Sequence, residues 1–286
     1  MTTATTDRVT GSRDADSWVT RHPLVAFFGL AYAISWTLWL IAALLGEDSG
    51  LARVAFVAGG FGPPAAAFIV LRMTRQSIST WARAIVRWKV PARYWLYALG
   101  LPAALFGVAN LILVALGEPV DLSLVGGRIV PYLGTFLVTL FLLGAQEEPG
   151  WRGYALPRLQ ERYSPVKATL LLGLAWGFWH LPVDGPIAFV VPLVLAFFYT
   201  WVYNRTGSVL LAILLHASFT PAQDHLILLA EETHGTTDLA MAIVYLVGAL
   251  TLVVVTRGRL GFDSDRNRSF IGHAAADGTR PSVSSS

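Results

Sequence analysis

The chain has 286 residues, 55% of them hydrophobic and only 14% charged, where ordinary soluble domains carry about a quarter charged residues. That deficit argues against a water-soluble globule and points to lipid as solvent. The absence of cysteine removes any disulfide framework, thiol nucleophile or thiolate metal site, and a net charge of +3 gives no footing for a nucleic-acid partner.

The first segment, residues 1–22, is polar and lacks the apolar core of a signal peptide. It is expected to be a disordered tail, as is the polar stretch 257–286, because neither can bury enough apolar surface to offset chain entropy. Between them a membrane domain is predicted over 23–256. Eight segments approach the roughly 20 apolar residues a spanning helix needs. They are Pro23–Leu45, Leu51–Leu71, Tyr94–Leu116, Ile129–Ala145, Val166–Val183, Ile187–Tyr203, Ser208–Pro221 and Asp238–Thr256. In hydrocarbon only helices and closed barrels satisfy the backbone, and runs this long are not barrel strands. The fold class is therefore an all-α polytopic bundle of about eight transmembrane helices.

Basic residues set its orientation, since Lys and Arg near helix ends favour the cytoplasm. With eight spans and a cytoplasmic N-terminus, all 21 lysines and arginines fall inside except Arg53, Arg128 and the intramembrane Arg152. The expectation is a multi-pass protein of the plasma membrane, surrounded by lipid, with both termini in the cytoplasm. Within the second inner loop, Ile78, Trp81, Ile85 and Trp88 recur at helical spacing beside Arg83, Arg87 and Lys89. That stripe fits a helix lying on the inner membrane surface or one packed on the bundle.

The fourth segment runs directly into Glu147-Glu148-Pro149-Gly150-Trp151-Arg152. If the helix continues to about Arg162, kinked by Pro149 and Pro157, Glu148 and Arg152 share a face and Glu147 points elsewhere. His180 and His216 lie in apolar runs of the fifth and seventh segments. Glu147 and His180 are nearly equidistant in sequence from a turn at Ser164, so an antiparallel hairpin with a rise of about 1.5 Å per residue brings them level. Ionisable groups inside spans usually mark function. A buried Glu beside a His can take a proton from water and pass it to a leaving amine, and a second His with a Thr can stabilise an oxyanion. Glu147, His180 and His216 are also ligand types for a divalent metal such as zinc, though no His-Glu-x-x-His helix is present. Both metal-free and metal-assisted chemistry fit the residues. The plainer readings are that Glu148–Arg152 is a structural ion pair, that Trp151, Trp176 and Trp179 are packing residues, and that Asp184, Asp224, His225 and His234 are solvated.

These residues resemble the CPBP family of intramembrane peptidases, also known as the Abi or CAAX protease family, over residues 133–221. The family's Glu-Glu-x-x-x-Arg motif is met by Glu147, Glu148 and Arg152. Its Phe-x-x-x-His motif is met at His180 with Trp176 in the Phe position, and its His-x-x-x-Asn motif at His216 with Thr220 in the Asn position. The resemblance implies an endopeptidase acting on a peptide or membrane-anchored protein substrate. In it Glu147 and His180 activate water, Glu148 and Arg152 order the site, and His216 and Thr220 bind the oxyanion. Two other classes also fit a bundle with buried Glu and His: a proton-coupled transporter and a non-catalytic membrane immunity or binding protein.

Overall fold

A computed structural model describes residues 18–46, 48–185, 189–229 and 234–265. The rest of both tails, Ile187 at the predicted start of the sixth segment, and Glu47, Glu231 and Glu232 of the outer loops lie outside them. Among the described residues the chain is an all-helical bundle with no strand, apart from one isolated antiparallel bridge between Val120 and Leu229.

After a helical turn at Trp18–Arg21, α1 spans Pro23–Leu45, α2 Gly50–Gly60, α3 Gly62–Met73, α4 Ile78–Ile85, α5 Ala92–Ala115 and α6 Leu124–Phe141. Short helical turns then occupy 145–160. They are followed by α7 Pro165–Asp184, α8 Val190–Thr206, α9 Val209–His225 and α10 His234–Val255. Four helices begin on a serine whose hydroxyl accepts an amide of the first turn: Ser49, Ser77, Ser164 and Ser208. Each of the eight predicted segments falls on helix. Among the described residues, five helical stretches are long and apolar enough to cross a bilayer, or six if the α2–α3 pair, bent by 53°, is one span. The expected count of eight is not confirmed by length and composition. The two segments that fall short are α8 and α9, 17 residues each. Most of their residues are buried, so protein rather than lipid surrounds them. The bend between α2 and α3 lies where Pro63 and Pro64 open the second helix, a position at which proline can start but not continue a helical ladder.

The fourth segment continues as one helical stretch, Leu124–Gln160, but with its regular pitch interrupted. α6 stops at Leu142, the chain passes Gly144 at φ +105°, and helical turns of changing pitch follow. These are 3₁₀ at Ala145–Glu147, α at Glu148–Gly150, π at Trp151–Ala155 and α at Leu156–Gln160. Pro149 and Pro157 each sit in the first turn of an α piece, where the missing amide costs little. The π turn absorbs the register that Pro157 would otherwise break.

The amphipathic stretch resolves as the eight-residue α4 packed on the bundle. Its Trp81 indole donates to the Pro149 carbonyl at 2.9 Å, and the Ser208 hydroxyl donates to the Arg87 carbonyl at 2.6 Å just beyond it. Residues 257–265 are a second departure from expectation. Instead of trailing off, the chain turns back on the bundle and buries Leu260 completely. At the opposite end of the bundle, Arg128 donates to the carbonyls of His225, Ile227 and Leu229. Asn110 holds the Leu226 carbonyl and the Leu228 amide. Together they tie down the chain that leaves α9, where a helix C-terminus favours a cation. Arg128→Gln is expected to lower unfolding stability in detergent by about 1–3 kcal/mol, because buried carbonyls lose their donors. Thermal unfolding of the purified variant measures it.

Candidate functional site

Glu147, Glu148 and Arg152 lie on the pitch-changing turns after Gly144, and all three are buried. His180 lies on α7, one helical turn beyond Trp176, and His216 and Thr220 lie one turn apart on α9. Of the six residues singled out in the sequence, the structure gathers three into one ion-pair cluster. Arg152 Nη1 is 3.0 Å from both oxygens of Glu148, and Glu148 Oε1 accepts from His216 Nδ1 at 2.9 Å. The Arg152 guanidinium is sandwiched between aromatic faces, 4.2 Å from the Trp176 ring centre and 4.4 Å from that of Tyr199. A buried guanidinium needs such partners, since desolvation of an isolated charge is prohibitive. Glu148–Arg152 is thus an ion pair as expected, with His216 as a third member.

Glu147 is in different company. Its Oε2 accepts from the Trp176 indole at 2.7 Å and the Trp151 indole at 3.3 Å. Oε1 is left without a hydrogen-bond partner among the described residues. Trp176 also bonds at its other end, because its carbonyl accepts from His180 Nδ1 at 2.9 Å. A carbonyl only accepts, so Nδ1 carries the proton and Nε2 presents a lone pair. One tryptophan therefore joins the Glu147 carboxylate to the His180 imidazole. Phe, the residue usual at this motif position, has no N–H with which to do so. Trp151 and Trp176 do more than the packing expected of them. The signals were present: Trp151 follows Glu147 by one helical turn, and Trp176 precedes His180 by one.

The two imidazoles open on a shared cavity of about 510 Å³ lined by Trp176, His180, Tyr199, His216 and Thr220, with Asp184 and Asp224 towards its mouth. The cavity is walled by α7, α8 and α9. Tyr199 of α8 is fully buried, faces His216 edge-on at 5.7 Å between ring centres, and had no sequence signal, since it sits inside an uninterrupted apolar run. Asp184 is exposed at the end of α7, 4.0 Å from His180 Nε2. His225 is not simply solvated, because its Nε2 meets the Thr135 hydroxyl at 2.9 Å. His234 is described only in its backbone.

Among the described residues no three His, Cys, Asp or Glu side chains converge as a metal-holding group. In Glu147, His180 and His216, one carboxylate oxygen is committed to two indoles and one imidazole nitrogen to Glu148. Each of the three keeps one donor atom outside these bonds, and the chemistry proposed for the site uses protein groups. Gly144 has a structural reason to be glycine: its φ of +105° is left-handed territory, and a Cβ there would lie 2.8 Å from His216 Nε2.

Residues 128–220 match the family described as type II CAAX prenyl endopeptidase, Rce1-like. CAAX prenyl protease 2 of Methanococcus maripaludis is 31% identical to this chain over 139 residues, covering 41% of this chain and 50% of the relative. The chain therefore spans about half the length of the curated relative it matches. The matched core begins at Arg128 and contains every residue of the cluster, both imidazoles and Thr220.

The unequal bonding of the two carboxylates is open to measurement. Glu148→Gln strips Arg152 of its buried counter-charge and is expected to cost about 3–5 kcal/mol of stability. Glu147→Gln retains an oxygen for the indoles and is expected to cost no more than about 1 kcal/mol. Gly144→Ala is expected to cost about 1–3 kcal/mol through backbone strain. Denaturant unfolding of the three variants in detergent ranks them.

Proposed function

We propose that this protein is an intramembrane endopeptidase that hydrolyses a peptide bond of a membrane-anchored chain by direct attack of water. The observation that carries the reading is the Trp176 bridge, which joins a buried carboxylate to a tautomer-defined imidazole, with Trp176 and the imidazole lining the cavity. The relationship of the core to type II CAAX prenyl endopeptidases supports it.

On this reading a water bound between Glu147 Oε1 and His180 Nε2 gives up a proton as its oxygen bonds to the scissile carbonyl carbon. The carbonyl oxygen becomes an oxyanion. It receives hydrogen bonds from the Thr220 hydroxyl and from Nε2 of His216, which acts as an imidazolium held at Nδ1 by the Glu148 carboxylate. Collapse of this intermediate breaks the C–N bond, and the proton taken from water passes to the departing amine. Glu148 and Arg152 act through His216 and do not touch the substrate. Trp176 and Trp151 aim Glu147 by occupying its other oxygen.

The reading commits to a membrane-anchored peptide and not to a prenyl group. The mouth of the cavity lies at the end of α7 and of α9, the bundle end opposite Arg93, Arg205 and Arg259. If the basic end faces the cytoplasm, the mouth faces away from it.

Cleavage of a membrane-anchored peptide by purified protein in vesicles tests the mechanism. Glu147→Ala and His180→Ala are each expected to lower the rate at least about 100-fold, the range of general acid–base catalysis. Trp176→Phe keeps the ring over Arg152 but removes the donor to Glu147, and is expected to lower the rate roughly tenfold or more while the protein stays folded. Unchanged cleavage in both Glu147→Ala and His180→Ala would remove the mechanism.

A further inference from the structure

A second cavity lies at the other end of the bundle and has no part in the chemistry above. Its volume is about 570 Å³, and it is lined by Arg93, Arg205 and Arg259, by the aromatic residues Tyr94, Tyr97 and Trp201, and by the turn that follows α10. The three arginines come from three different helix ends: the start of α5, the last turn of α8, and the chain just past α10. One carboxylate, Asp263, lines the same space, so positive charge is in excess.

The arrangement is held in place. The Tyr94 hydroxyl accepts from Arg205 Nε at 3.1 Å and from Arg93 Nη2 at 3.5 Å, orienting two guanidinium groups at one point. Trp201 closes the aromatic side, its ring centre 4.5 Å from that of Tyr97. The opposite wall is the turned-back segment. There Asn204 donates to the Leu260 carbonyl at 3.0 Å, and the Leu260 amide donates to the Thr256 hydroxyl at 3.0 Å. Gly261, at φ +71°, lies so close to the Arg205 stem that a Cβ would approach its Cδ to 2.5 Å. The segment is thus shaped around Arg205.

We propose that this cavity is a binding site for a phosphate-bearing anion, and specifically for the headgroup of an anionic phospholipid. Guanidinium groups on separate elements match the several oxygens of one phosphate. The site lies at the ends of the apolar helices, where headgroups reside, and Tyr and Trp prefer that depth. Basic pockets between helix ends capture such lipids, at about 1 kcal/mol per basic residue near the surface. A lipid held here would bridge α5, α8 and the chain beyond α10, bracing α8, whose Tyr199 lines the first cavity.

The test uses the full chain in a neutral detergent, titrated separately with short-chain phosphatidylglycerol, phosphatidylcholine and inorganic phosphate, with the thermal unfolding midpoint as readout. Phosphatidylglycerol is expected to raise the midpoint saturably, and the other two are not. The double variant Arg93→Gln, Arg259→Gln is expected to unfold normally without lipid and to need roughly thirtyfold more phosphatidylglycerol for the same shift. An equal response to phosphatidylcholine, or to phosphate alone, would overturn the assignment. So would an unchanged lipid response in the double variant. If that variant does not fold, the three wild-type titrations still decide.

Discussion

Two adjacent carboxylates enclosed in a lipid-embedded bundle are the constraint around which this molecule is organised. Each would be prohibitively costly there without donors, and the two are satisfied in different ways. Glu148 is held on one side by Arg152 and on the other by His216, both of them charge-assisted contacts. Glu147 receives two neutral indole donors on a single oxygen and keeps the other open. Neighbours in sequence thus acquire separate surroundings: one carboxylate binds three helical elements together, and the other is tied through Trp176 to the element that carries His180.

The local backbone makes this division possible. A regular α-helix through 145–160 would carry Glu147 and Glu148 on fixed faces of one cylinder. Instead, Gly144 interrupts the helical ladder at φ +105°, and the pitch changes from 3₁₀ to α to π within eleven residues of Ala145. The two prolines are accommodated as starts of turns. The same stretch brings Trp151 under Glu147 and Arg152 between Trp176 and Tyr199. The Arg152 guanidinium then uses both its charge and its flat face, which a lysine at this position would not reproduce.

Much of this was legible in the sequence because lipid imposes strong rules. Apolar run length located every helix of the bundle, and the ionisable residues inside those runs picked out Glu147, Glu148, Arg152, His180 and His216. What could not be read was context supplied by other elements. α8 and α9 looked like lipid-facing spans because their composition is apolar, but most of their residues are buried within the bundle. Tyr199 carries no mark that separates it from its neighbours, and its place beside His216 depends on how α8 docks. Trp176 looked like a bulky core residue, yet both its indole and its carbonyl are used in the site. Segment 257–265 is polar and yet ordered, because Leu260 is buried and held through Asn204 and Thr256.

The central claim is that Glu148 and His216 form one energetic unit with Arg152 while Glu147 stands apart from it. A double-mutant cycle on unfolding free energy measures this most directly, comparing Glu148→Gln, His216→Gln and the pair, with Glu147→Gln and His216→Gln as the parallel cycle. The account predicts a coupling of about 1–3 kcal/mol in the first cycle, the range for residues sharing one ion-pair network, and near-additivity in the second. Additive losses for Glu148 and His216, with strong coupling between Glu147 and His216 instead, would contradict it.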